Sequence, residues 1–194
     1  PDLTGILADA VNADALGRWF VTLNYFTAYD PVTPDFSAGA VAGVIDASIE
    51  WLPDVLDNFL VVAAPTSREV GQNATVNITA RDQYNNTIRT YFVPAGRQLD
   101  ITVSGVPGPI TIGPNFQFGG VAVDNLDGTA TIPAGTLFSS GIAAVSIANV
   151  RAETSAIRVT VTESVGGQTG NTGTTGTDIS WYAGPLARFE VVPS

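Results

Sequence analysis

The sequence predicts an antiparallel β-sandwich with a small α-helical segment at its N-terminus, and three observations lead there. Residues 58–164 carry short runs in which apolar and polar side chains alternate, the two-residue period of strands with one buried face. In 74–81, for example, Val76, Ile78 and Ala80 share one face while Thr75, Asn77 and Thr79 share the other. Turn-forming clusters separate these runs: Asp82-Gln83-Tyr84-Asn85-Asn86, Asn125-Leu126-Asp127-Gly128 and Pro133-Ala134-Gly135. Finally, 45% of the 194 residues are hydrophobic, enough to fill a core without crosslinks.

The elements follow in chain order. Residues 1–57 read as a helical cap or insertion on one end of the sandwich, or as the tail of a preceding domain. Apolar residues at Leu3, Ile6, Leu7, Ala10, Val11, Leu16, Trp19 and Phe20 fit an amphipathic helix with Asp2 as N-cap. Residues 21–29 suit a strand or an extended link, broken by Asp30-Pro31 and Thr33-Pro34. A second helical pattern runs from about 35 to Trp51 and stops at Pro53. Strands are then expected at 59–63, 74–81, 88–93, 98–104, 110–112, 115–118, 121–124, 129–132, 136–139, 142–150 and 156–163. The Asn125–Gly128 turn makes a hairpin of two of them. Seven or more short strands at this spacing fill the 58–164 sandwich. Residues 165–177 are almost all Gly, Thr, Gln and Asn, with nothing to enter a core, and read as a flexible linker. The segment 178–194 is strand-like again.

Composition narrows the functions. Only 13% of residues are charged and the net charge is −10, with all eight basic residues Arg. So acidic a chain repels phosphate backbones and anionic lipid, which excludes nucleic acid as an expected partner. No apolar run reaches the length of a membrane span. A chain opening at Pro1 reads as a processed or excised product. His, Cys and Lys are absent, which removes the Ser-His-Asp triad, thiol nucleophiles, Schiff bases, disulfides and His-ligated zinc. Glu50, Asp100, Glu153 and Glu163 could serve glycoside hydrolysis, but no spacing pairs them. The expectation is that the protein is not an enzyme and has no cofactor other than calcium. Asp124, Asn125 and Asp127 gather hard oxygens in one turn, which Asp82 or Asp100 could join in space; the same residues equally build a plain hairpin turn. Asp54 and Asp57 form a weaker pair. The aromatics Trp19, Phe20, Tyr25, Phe26 and Tyr29 suit core packing or stacking on sugar rings.

Three Asn-x-Thr sequons begin at Asn73, Asn77 and Asn85. They arise by chance in an Asn- and Thr-rich chain, or they mark N-glycosylation of an exported surface. Asn73 and Asn77 are four apart on an alternating strand and so share its polar face.

The segments Phe59-Leu60-Val61-Val62 with Pro65, Thr79-Ala80-Arg81-Asp82-Gln83-Tyr84-Asn85-Asn86, and Gly128-Thr129-Ala130-Thr131-Ile132-Pro133-Ala134-Gly135-Thr136-Leu137 resemble immunoglobulin-like repeats of bacterial and archaeal surface proteins. The resemblance covers roughly residues 58–164. It implies an immunoglobulin-like sandwich, a place at the cell surface, and a role in a stalk, adhesin, surface layer or filament, with no chemistry. Partners would be further copies of the chain, neighbouring repeats, or surface polysaccharide. Phe189-Glu190-Val191-Val192 echoes Phe59-Leu60-Val61-Val62. Leu186, Phe189, Val191 and Val192 would then open the next repeat of a tandem array, complete a neighbouring subunit as an exchanged strand, or fold back on their own sheet.

Overall fold

The computed structural model describes the backbone of residues 6–13, 19–25, 35–38 and 41–44, and residues 52–185 apart from 107, 111, 166, 167 and 177. The chain divides into two compact units, Pro1–Val55 with Arg81–Thr87, and Leu56–Ala80 with Ile88–Ser194.

In the first unit, β1 (Ile6–Ala13) and β2 (Trp19–Tyr25) pair antiparallel, as do β3 (Asp35–Ala38) and β4 (Val41–Val44). The described residues contain no helix, so the predicted helical cap is corrected to strands where it is described. The reason is local. The run Trp19-Phe20-Val21-Thr22-Leu23 is aromatic and β-branched and supplies a strand partner. The apolar positions of 6–13 fit either period, and a register shift between Ala8 and Val11 absorbs the mismatch. In the second pattern Gly39 and Gly43 weaken a helix by about 1 kcal/mol each. Asp2, the N-cap residue, and the end of that pattern at Trp51 lie outside the described residues.

The second unit is the predicted immunoglobulin-like sandwich. Its strands are β5 (Asn58–Ala64), β6 (Ser67–Glu69), β7 (Asn73–Arg81), β8 (Arg97–Val106), β9 (Phe116–Gly120), β10 (Val123–Asp124), β11 (Ala130–Ile132), β12 (Ile142–Asn149), β13 (Ala156–Val165), β14 (Gln168–Thr174) and β15 (Ser180–Tyr182). A four-stranded sheet has the order β5-β7-β12-β9, and a five-stranded sheet the order β10-β11-β8-β13-β14. Sequence neighbours are split between the sheets, the Greek-key arrangement of this class. The inner faces merge in one core. Phe59, Val61, Val76, Ile78, Val145 and Ile147 come from the first sheet; Leu99, Ile101, Val103, Ile157, Val159 and Val161 come from the second. Each such buried side chain contributes about 1.5–3 kcal/mol relative to exposure. Runs 88–93 and 136–139, expected as strands, are held by an isolated bridge between Phe92 and Leu137.

The Gly/Thr-rich stretch is corrected from linker to strand. β14 pairs antiparallel with β13, matching Thr172 to Thr162 and Thr174 to Thr160. Thr172 and Thr174 are exposed, while the inward position is Gly173. A Cβ there would lie 2.1 Å from the Phe59 carbonyl oxygen. The strand fits because its inward residue has no side chain, and the lack of apolar residues is what concealed it in the sequence.

The chain then returns to its own fold. β15 pairs parallel with β6, and Ile157 bridges Ile179. Ile179 and Trp181 are fully buried; the Trp181 ring meets Phe116 edge to face at 6.4 Å, and its Nε1 donates to the Gln72 carbonyl at 3.0 Å. Residues 178–182 therefore belong to this sandwich. Leu186, Phe189, Val191 and Val192 lie outside the described residues.

Candidate functional site

Three groups of predicted residues can be followed in the structure, and most of their polar atoms build the scaffold. The Asp82 turn is the tightest. Its carboxylate accepts from Tyr84 N at 2.9 Å, Asn86 N at 2.8 Å, Asn86 Nδ2 at 3.0 Å and Asp54 N at 3.1 Å. Burial pushes the carboxyl pKa up, but the bond from the Asn86 side chain and the three backbone bonds outweigh it and hold the group below its ordinary value. Asp54 also accepts from Gln83 Nε2 at 2.9 Å. Asn85 takes a positive φ of 65°, which Asn tolerates. The Asp-x-Tyr-x-Asn spacing of the surface-repeat resemblance thus has a structural cause: one carboxylate closes the turn.

Asp124, Asn125 and Asp127 sit together in sequence but serve separate bonds. Asp124 Oδ1 accepts from Leu126 N at 2.8 Å, and Oδ2 accepts from Phe118 N, on β9, at 3.0 Å. Asn125 Nδ2 donates to Thr129 Oγ1 and Thr131 Oγ1. Asp127 Oδ1 accepts from Thr129 Oγ1 at 2.6 Å and Thr129 N at 2.9 Å, and those bonds hold its pKa below the ordinary value. The Asp100 carboxylate is engaged elsewhere, by Gln98 Nε2 at 2.6 Å and by Ser164 Oγ. Among the described residues no three acidic side chains converge on a point that could hold a metal ion.

β7 presents the sequon asparagines as its period requires. Asn73, Thr75 and Asn77 are exposed and alternate with buried Ala74, Val76 and Ile78; Asn85 is exposed in the following turn. Thr79, the hydroxyl residue of the middle sequon, is buried. The side chains of Trp19, Phe20, Tyr25, Phe26 and Tyr29 lie outside the described residues.

A feature absent from the sequence reading is a buried polar group behind β13. Glu163 is only 1% exposed; Oε1 pairs with Arg97 Nη1 at 3.0 Å, and Oε2 accepts from Asn171 Nδ2 at 3.2 Å. Tyr91 is nearby, its ring packed edge to face on Phe59 and Phe138. Burial, reinforced by the Glu163 charge, pushes the Tyr91 hydroxyl pKa up, with Arg97 opposing. The only sequence signal for Glu163 was its parity with Val159 and Val161, which put a carboxylate on the inward face.

No family model and no curated protein matches the chain. Among solved structures it is similar to the Escherichia coli adhesin FdeC, at 17% identity and a TM-score of 0.42 over 95% of this chain and 50% of that one. It is also similar to the Yersinia pseudotuberculosis adhesin InvE, at 16% identity and 0.37 over 92% and 47%. The Reelin-N domain of F-spondin matches at 11% identity and 0.39 over 66% and 88%. The chain spans about half the length of the two adhesin structures.

Proposed function

We propose that the protein is a non-catalytic extracellular structural module of a prokaryotic surface filament or surface layer, joined end to end with further sandwiches. The observation that carries this is where the backbone enters and leaves the sandwich. Entry is at Leu56, whose carbonyl accepts from Asn171 Nδ2, the group that also bonds Glu163 near the end of β13. Exit follows Tyr182, where the Trp181 carbonyl accepts from Glu153 N, just before β13 begins, and Ile179 bridges Ile157. From Ile157 to Glu163 the strand rises roughly 20 Å, at about 3.3 Å per residue. Entry and exit therefore lie at opposite ends of the sandwich, the geometry of units strung in line.

The C-terminal echo fits this reading. Leu56, Phe59, Val61 and Val62 recur in order as Leu186, Phe189, Val191 and Val192. Phe59 and Val61 are, with Ala63, the buried members of β5, and Leu56 packs on the core. Three of the four recurring residues are thus ones the first strand turns to the core, while Val62 is exposed, so 186–192 would open another sandwich, in the next repeat or, by strand pairing, in a neighbouring subunit. Glycans on Asn73 and Asn77 would cover the outer face of β7, and one on Asn85 the turn that follows it.

The test is removal of residues 186–194, which leaves the buried Ile179 and Trp181 in place. Electron microscopy and light scattering of the intact chain should show ordered assemblies, and the shortened chain should stay folded and monomeric. Assembly that persists unchanged without 186–194 would refute strand pairing through this segment. An intact chain that stays monomeric would instead favour a carbohydrate-binding or adhesive module.

A further inference from the structure

An open cavity of about 520 Å³ lies where β8 begins, β13 ends and the chain leaves β11; Arg97, Gln98, Asp100, Pro133 and Ser164 are among the residues lining it. That volume is within the range of small-molecule sites. The strand period places its polar groups. Leu99, Ile101, Val161 and Glu163 turn into the core, so Gln98, Asp100, Thr162 and Ser164 turn outward, with Ser164 opposite Gln98 and Thr162 opposite Asp100. Asp100 bonds both Gln98 Nε2 and Ser164 Oγ, which fixes three side chains in one cluster and leaves carboxylate lone pairs free to accept. Arg97, which also lines the cavity, is anchored by the buried Glu163 at Nη1, while its side chain as a whole remains 41% exposed and carries further N–H groups. A buried carboxylate is tolerated when paired in this way.

We propose that this cavity binds a neutral saccharide through its hydroxyl groups. Asp100 accepts from sugar hydroxyls, while Arg97 and Gln98 donate to them, the alternation of donor and acceptor that adjacent hydroxyls match. Charge selects against an acidic sugar. Arg97 and Glu163 cancel, so Asp100 leaves the site with a single negative charge on a chain of net −10. The cavity also continues into a surface of hydroxyls. Thr131 and Thr162 flank Asp100 on the neighbouring strands, and Thr102 stands opposite Thr160, which stands opposite Thr174. A longer glycan could run across these rows. The site is on the side of the module and does not depend on how modules are joined.

The experiment is affinity electrophoresis of the full chain in gels containing mannan, a neutral β-glucan or polygalacturonate. The expected result is retardation by at least one neutral polymer. Asp100→Asn and Gln98→Ala should each weaken it by about tenfold, while Asn77→Gln on the other sheet leaves it unchanged. Circular dichroism checks that each variant folds; Gln98 is exposed, so its variant decides the matter if Asp100→Asn does not fold. Three results would overturn the proposal: no retardation by either neutral polymer, retardation that Gln98→Ala leaves within twofold, or retardation by polygalacturonate alone.

Discussion

The two seams where the edges of the sheets meet are closed by different means. At one, β5 of the four-stranded sheet lies against β14 of the five-stranded sheet: Val61 bridges Thr175 in parallel, and Gly173 packs on the Phe59 backbone. Backbone meets backbone there, with no room for a side chain. At the other, β9 and β10 are joined through one carboxylate, as Asp124 accepts the Phe118 N–H that an edge strand would otherwise leave unpaired. An open N–H on an edge is what a foreign strand pairs with. The first seam is closed by shape and the second by a single acceptor.

The largest effect should come from the shape-closed seam. Gly173→Val forces a Cβ to within 2.1 Å of the Phe59 oxygen, and both partners are backbone, so neither can turn aside. We expect a loss of about 3 kcal/mol or more and a fall in Tm of roughly 6–12 °C. A Tm within about 2 °C of the parent would mean that β14 can move off β5 freely.

Asp124→Ala should cost less, about 1–2 kcal/mol for the lost acceptors of Phe118 N and Leu126 N, but it should change behaviour more specifically. The Phe118 amide should exchange with solvent faster, and the variant should self-associate at concentrations where the parent is monomeric in the 186–194 deletion background. Unchanged protection of that amide would show that another group closes the seam.

Asp82 offers a control, since its bonds close a turn and join neither seam. Its folded pKa lies below the usual value, so its contribution is present above the unfolded carboxylate pKa of about 3.9 and is lost as pH falls through the lower folded value. Urea unfolding at falling pH should show this loss in the parent and a smaller one in Asp82→Asn. Equal acid sensitivity of the two proteins would rule out Asp82 as a source. Asp127→Ala should have the smallest effect, a Tm shift close to measurement error, because its bonds to Thr129 are exposed and local.

Much of the sandwich could be read from the chain because β7, β8, β12 and β13 each bury alternate apolar residues, and alternation is visible without a partner. The candidate groove could not be read that way. Gln98 and Asp100 are close in sequence, but Ser164 and Pro133 arrive only when β13 and β11 line up on either side of β8. The Asp124 turn was visible as a cluster of oxygens. That its second oxygen accepts from β9 depends on which strand folds alongside it. β14 was missed because Gly173 has no side chain to signal an inward position, and β1 was missed because its apolar spacing suits two periods, whereas β2 falls partly in the 21–29 run read as a strand or an extended link.

The sequence by itself determined the class of fold, the positions of the main strands and turns, and the outward placement of Asn73 and Asn77. These follow from backbone period and turn chemistry, which are local. Only the tertiary structure decided that the Gly/Thr-rich stretch is an edge strand, that Ile179 and Trp181 return to the same core, that Glu163 is buried behind Arg97, and that the chain leaves at the end opposite its entry. Each of these rests on contact between residues far apart in sequence, and such contacts are set by how whole strands pack.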